Sequence, residues 1–222
     1  MSSTPETLTI PADLDHVVFA GPSLSEAIDA VEQLTGVRAT PGGKHPTGTA
    51  NALIAFTVKG ERVPHYLEVI GPDPDGEIPA SEIATFSIAD RSAPAIATFA
   101  VHPADIEAAA AAAAEAGVSL GEILPLSRRT PDGTLLEWRL TRGENRDPNP
   151  AIPFLIDWGN TPHPGQSDIP TIELLGVRIT SPEPEKVRSA LAALGVEISV
   201  TEADEFSLTL VLEGATGVVE LV

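Results

Sequence analysis

The sequence contains no cysteine, which excludes disulfides, a thiolate nucleophile, an iron–sulfur cluster and a cysteine-ligated zinc site. Basic residues are scarce. Thirteen Lys and Arg stand against 32 Asp and Glu, a formal charge of −19 over 222 residues. Affinity for nucleic acid comes largely from Lys and Arg that release counterions, and Arg128-Arg129 is the only adjacent basic pair. Neither nucleic acid nor an anionic membrane is therefore an expected partner. Long apolar runs are also missing. The longest, Ala108 to Ala114, falls far short of the ~20 residues that span a bilayer as a helix. Met1 to Asp13 is polar, with neither a basic n-region nor an apolar h-region, so no secretory leader and a cytoplasmic location are expected.

What is present points to a folded chain. A hydrophobic share of 42% is too high for a disordered acidic polymer. The length suits one large or two small domains that bury roughly 70% of the unfolded surface.

A unit recurs three times. Leu14-Asp15-His16-Val17-Val18-Phe19-Ala20 reads as a strand, and Ser23-Leu24-Ser25-Glu26 as a capping box opening a helix with Ala27, Ile28, Val31 and Leu34 on its apolar stripe. Gly36-Val37 ends it, the glycine fitting a left-handed position. The same grammar returns at Ala97 to Val118, where Pro103 and Gly117 keep a shared offset of 81 from Pro22 and Gly36, and again from Val177 through Ser181-Pro182 to Gly195-Val196. Proline at the first helical position and glycine past the last is the expected asymmetry. Strand candidates follow each helix, among them Val196 to Val200 in the third unit, so each unit reads β-α-β-β-β. The units are expected at 12–72, 94–160 and 171–222, the second pairing with the first, with linkers at Pro72 to Pro94 and Gly159 to Pro170.

Two places carry chemistry-bearing residues. His16 lies mid-strand beside Asp15, and alternation in the strand Tyr66-Leu67-Glu68-Val69-Ile70 puts Tyr66, Glu68 and Ile70 on one face. A carboxylate in so apolar a strand must be paired, protonated or metal-bound. An imidazole and a carboxylate on neighbouring strands suit a divalent metal with N and O donors, while a hydrogen-bonded core histidine is the plainer alternative. The second place is the loop Gly42-Gly43-Lys44-His45-Pro46-Thr47-Gly48-Thr49-Ala50-Asn51, which has neither a Walker nor a dinucleotide spacing, so no nucleotide cofactor is expected.

The Leu14-Asp15-His16-Val17-Val18-Phe19 strand, the Gly42 to Leu53 loop, the Tyr66 to Ile70 strand, and Phe154-Leu155-Ile156-Asp157-Trp158 with His163-Pro164 together resemble the glyoxalase-like domain family of the vicinal oxygen chelate superfamily. The resemblance covers about residues 12 to 180. It implies an α+β fold in which paired β-α-β-β-β units curve antiparallel or mixed sheets around a cleft. It also implies one divalent metal, Zn, Mn, Ni or Fe, held by a first-strand and a last-strand residue of each contributing unit. His16 and Glu68 match those positions in the first unit. Ala97 replaces the histidine in the second, where Asp157 in the last strand is the candidate ligand. His45 and Glu137 are then candidates to move the proton, and Asn51, Tyr66, Trp138, Trp158 and His163 to bind substrate. Two functions stay open: a metal-dependent lyase, isomerase or dioxygenase acting on vicinal oxygens, and a metal-free protein that binds or sequesters a small molecule. An unpaired third unit suggests a homodimer or packing on the outer face of the first two.

Overall fold

The structure, a computed structural model, describes residues 8–142 and 149–222. Strand β1 (Leu14–Ala20), helix α1 (Leu24–Thr35) and strands β2 (Thr40–Lys44), β3 (Thr49–Val58) and β4 (Glu61–Pro72) form the first run. The order repeats as β5 (Ala95–Val101), α2 (Ile106–Glu115), β6 (Glu122–Arg129), β7 (Leu135–Arg142) and β8 (Phe154–Asp157). It repeats again as β9 (Thr171–Ser181), α3 (Pro184–Ala193), β10 (Ser199–Glu202), β11 (Ser207–Gly214) and β12 (Gly217–Leu221).

Helix ends follow the local chemistry. Ser23 accepts the Glu26 N–H and Asp105 accepts the Ala108 N–H, each satisfying a first-turn donor. Gly36, Gly117 and Gly195 all take left-handed backbone, with φ of 77°, 79° and 71°. The prolines depart from expectation. Pro22, Pro103 and Pro182 sit in the turns before the helices, ahead of the N-cap residues Ser23, Asp105 and Glu183; Pro184 alone occupies a first-turn position. Strand β10 likewise starts at Ser199 rather than Val196, since the Val196 N–H closes the α3 C-terminus on the Leu191 carbonyl.

The strands β3-β2-β6-β7-β8-β5-β1-β4 form a ring that closes where β4 pairs with β3. The first two units are joined at two seams, β1 antiparallel to β5 and β2 antiparallel to β6. The second seam rests on the single pair Lys44–Arg129. Strand alternation then divides the side chains. Val17, Phe19, Leu67, Val69, Phe99 and Leu155 face outward into the main core with the helices. Val18, Ala20, Tyr66, Ile70, Phe154 and Ile156 face inward. The segment between β4 and β5 brings Ile83 and Ile88 into that inner cluster.

The third unit extends the sheet. β9 runs parallel to β3 from the Ala55–Thr171 pair onward, beyond the point where β2 leaves β3 at Leu53. Its inner face, with Leu174, Val177, Leu208, Leu210 and Leu212, is buried in the same core as α1 residues Ala27 and Val31. The sheet that the sequence leaves without a cover is thus covered inside one chain. Among the described residues no helix is long and apolar enough to cross a membrane.

Candidate active site

A cavity of about 250 Å³ opens inside the ring. Strand β1 reaches it through an irregularity. Pairing with β5 steps from Leu14–Val101 to His16–Ala100, so Asp15 is an extra residue on β1. Such a bulge re-aims a side chain. Here it lets Asp15 and His16, adjacent in sequence, meet: His16 Nδ1 lies 2.6 Å from Asp15 Oδ1.

Asp15 is fully buried and gathers donors. Trp158 Nε1 donates to its Oδ2 at 2.9 Å, and His163 Nε2 lies 3.1 Å from the same oxygen. The Gly165 N–H donates to His163 Nδ1, which leaves Nε2 of that ring as the hydrogen-bearing nitrogen facing Asp15. Burial alone would raise the Asp15 carboxyl, but the hydrogen bonds from His16 and His163 outweigh it and hold the group well below the usual carboxylate range. The ionised Asp15 in turn fixes the His16 proton on Nδ1. His16 Nε2 faces the cavity, 3.7 Å from Glu68 Oε2. The His16 ring stacks on Tyr66 with centroids 4.7 Å apart.

Glu68 lies on β4 and Asn51 on β3, where Asn51 Nδ2 donates to Glu68 Oε1 at 2.6 Å. Asn51 Oδ1 is buried with no protein donor among the described residues. It packs on Gly42, where an added Cβ would overlap it. The loop glycine is thus a close-approach position. The expected result of Gly42→Ala is a loss of roughly 1–3 kcal/mol from overpacking, read by urea unfolding. In an Asn51→Ala background the same Gly42→Ala change should cost clearly less, because the two residues share one volume.

Around this centre the cavity has two kinds of wall. Burial pushes the Tyr66 phenol well above its ordinary range, as do the nearby Asp15 and Glu68 charges, so it remains a neutral hydroxyl. Burial likewise lowers the His45 imidazole, keeping it neutral beside Arg128 and Arg142. His45 Nδ1 lies 3.0 Å from Thr49 Oγ1. The other wall is apolar: Phe86, Trp138, Phe154, Ile156 and Trp158. Phe86 reaches it from a turn in which it and Ser87 have φ of 51° and 55°, an uncommon conformation for residues with side chains. Arg91 Nε fastens the turn by donating to the Phe86 carbonyl at 2.9 Å.

The structure therefore brings His16, Glu68, His45, Asn51, Tyr66, Trp138 and Trp158 to one cavity. It does not bring Asp157 or Glu137 there. Asp157 points to the outside of β8, where Arg139 Nη2 holds it at 2.5 Å, because β8 turns its alternate residues Phe154, Ile156 and Trp158 inward. Glu137 is exposed on the outer face of β7, its neighbour Trp138 facing in. His163 stands behind the cavity as a partner of Asp15. Sequence reasoning missed Arg128 and Arg142; the available signal was their inward phase on β6 and β7, two and four residues from Leu126 and Trp138, which also line the cavity.

A divalent ion requires more donors than this cavity offers. Catalytic zinc sites use three protein ligands and structural ones four. His16 and Glu68 supply two, and among the described residues no group of three His, Asp or Glu could hold an ion. The second unit supplies apolar rings where ligands would stand, and two guanidinium groups share the space. The described residues do not fit a protein-held divalent metal.

A family model described as Glyoxalase-like domain matches residues 14–195. No curated protein matches the chain. Among solved structures, a hypothetical protein from Staphylococcus aureus superposes with a TM-score of 0.59 at 14% identity, over 90% of this chain and 88% of that one, a likeness of fold. A variant of Streptomyces coelicolor methylmalonyl-CoA epimerase in complex with 2-nitronate-propionyl-CoA gives 0.40 at 20% identity, over 71% of this chain and 100% of that one. The epimerase from Mycobacterium tuberculosis gives 0.37 at 19%, over 67% and 87%. Both enzymes superpose too loosely to align a site.

Proposed function

The chain belongs to the glyoxalase-like domain family, and from that premise we propose that its cleft is a proton-transfer site for a small substrate with oxygens on adjacent carbons. One observation carries the reading: His16 Nδ1 lies 2.6 Å from the buried Asp15 carboxylate while its Nε2 faces the cavity 3.7 Å from Glu68, a placement that suits Nε2 to act as a base. A buried carboxylate that orients an imidazole and stabilises its protonated form is a recurrent arrangement for general bases.

The steps follow from the positions. A substrate enters between the apolar rings and the polar wall, with the hydrogen on the carbon beside its carbonyl near His16 Nε2. His16 takes that proton, the C–H electron pair moves onto the carbonyl oxygen, and the imidazolium is stabilised by Asp15. Neutral donors, the Tyr66 hydroxyl and the Asn51 amide, and the Arg128 guanidinium are within the same cavity to stabilise the enolate oxygen. The proton returns to carbon from His16 or from Glu68, giving an isomerase- or epimerase-type outcome. No step runs through a metal ion.

A second reading, capture of a ligand without chemistry, is supported by the apolar contribution of the second unit. Exchange of a substrate's α-hydrogen in deuterated water, followed by NMR in the presence of EDTA, separates the two. Exchange that persists with EDTA supports proton transfer by the chain's own residues. Exchange that vanishes with EDTA and returns with a divalent salt overturns the metal-free version, and bound ligand without any exchange leaves capture.

A further inference from the structure

Basic residues are the scarce commodity of this chain, yet two of its 13 Lys and Arg line the one cavity that holds the acid–base pair. Outside the cavity four arginines are matched with carboxylates, Arg38 with Asp29 and Glu32, Arg139 with Glu107 and Asp157, Arg178 with Glu220 and Arg188 with Glu185, while Arg62, Arg91 and Arg129 donate to backbone carbonyls at the surface or in a turn. Among the described residues, Arg128 and Arg142 have no such carboxylate partner. Arg128 is 4% exposed and donates to the Gly42 carbonyl; Arg142 Nη2 donates to the Thr85 hydroxyl at 3.0 Å. Both acceptors are neutral, and among the described residues neither guanidinium has a carboxylate within ion-pairing distance. Arg128, buried without a direct ion pair, is costly to maintain, and Glu68 acts on its charge only across the cavity. Glu68, the acid in the same cavity, is committed to Asn51 and faces His16.

Resting on the reading of the cleft as a proton-transfer site, we propose that its substrate is a small organic monoanion whose carboxylate is received by Arg128 and Arg142 while its compact apolar or aromatic body lies against Phe86, Trp138 and Phe154. Each part has a physical reason. A guanidinium presents several N–H groups in a plane that matches a carboxylate, which a neutral acceptor uses only in part. The neutral His45 adds a hydrogen-bonding group without a competing charge. A cavity of about 250 Å³ lies just under the span usual for drug-sized ligands, so the body is small. Two cations against Glu68 and a formal charge of −19 favour one negative charge over several. A carboxylate held at the guanidinium groups also turns the neighbouring carbon, with its hydrogen, toward His16 and Glu68, so binding and chemistry select the same class: 2-hydroxy acids.

The test uses the full chain and two matched probe pairs, mandelate with mandelamide and lactate with lactamide. Both tryptophans of the chain, Trp138 and Trp158, line the cavity, so intrinsic fluorescence reports its occupancy alone. The acid of at least one pair is expected to bind roughly tenfold or more tightly than its amide, the size of one charge-assisted hydrogen bond. Arg142→Met and Arg128→Met should each lower acid affinity far more than amide affinity, erasing most of that preference. Arg128→Lys, which keeps the charge, serves if the buried Met variant does not fold, and should retain a reduced preference. Equal binding of acid and amide, no binding of either in both pairs, or a preference untouched in the Arg142 and Arg128 variants would overturn the proposal. The proton-transfer reading fails differently, as an intact acid preference with no α-hydrogen exchange. Exchange that proceeds equally on acid and amide keeps that reading and overturns this one.

Discussion

His16→Gln is expected to slow α-hydrogen exchange by about 10²–10⁴-fold, the range of a positioned general base, while leaving the affinity for a bound acid within a few-fold of the wild type. The separation of the two effects follows from the geometry. The glutamine amide has an N–H that can still donate to Asp15, so the buried carboxylate keeps a third donor beside Trp158 and His163. The carboxylate of the ligand is held elsewhere in the cavity, at the guanidinium groups. What disappears is the Nε2 lone pair 3.7 Å from Glu68. NMR exchange and tryptophan quenching on the same samples read both quantities. A variant that exchanges as fast as the wild type removes His16 from the role of base. A variant that loses binding and exchange together makes His16 a cavity wall, with its stacking on Tyr66 as its contribution.

Much of the architecture was legible because it is periodic. Strand alternation placed Tyr66 and Ile70 opposite Leu67 and Val69, and the structure sends the first two to the cavity and the others to the outer core. Glycine punctuation located three helix ends. The alternation failed at one residue. By strict period two, Asp15 and His16 face opposite sides, and only the bulge against β5 makes them partners. No local signal in Leu14-Asp15-His16-Val17 reveals it, since a bulge is a property of two strands. Asp157 and Glu137 illustrate the converse. Both are carboxylates in apolar strands, which suggests a buried role, but β8 and β7 each present their rings inward and their acids to solvent or to Arg139. The arginines were hidden for a related reason: Arg128 and Arg129 are adjacent in sequence, and the phase that Arg128 shares with Leu126 marks it as inward only once Leu126 is known to face the ring.

The bulge makes Asp15 the residue on which fold and chemistry meet, and Asp15→Asn should show both. The carboxylate accepts from His16, Trp158 and His163 at once. An asparagine of the same shape has one acceptor oxygen and turns its amide hydrogens toward donors, so breaking this buried cluster should cost roughly 3–5 kcal/mol at neutral pH. Because the native Asp15 pKa is depressed, its contribution is complete above the unfolded value of about 3.9 and shrinks as pH falls below it. Urea unfolding should therefore show a gap between wild type and variant at pH 7 that narrows toward pH 3. The chemical effect has its own signature. His16 can accommodate the asparagine by accepting its amide hydrogen at Nδ1, which moves the imidazole proton to Nε2 and turns the base into a donor. Exchange should then fall to the level of His16→Gln, and the double variant should lose little more than either single one, as residues that act as a unit do. A gap that stays constant with pH would show that Asp15 acts through packing rather than charge. Losses of exchange that add in the double variant would show that Asp15 does not work through His16.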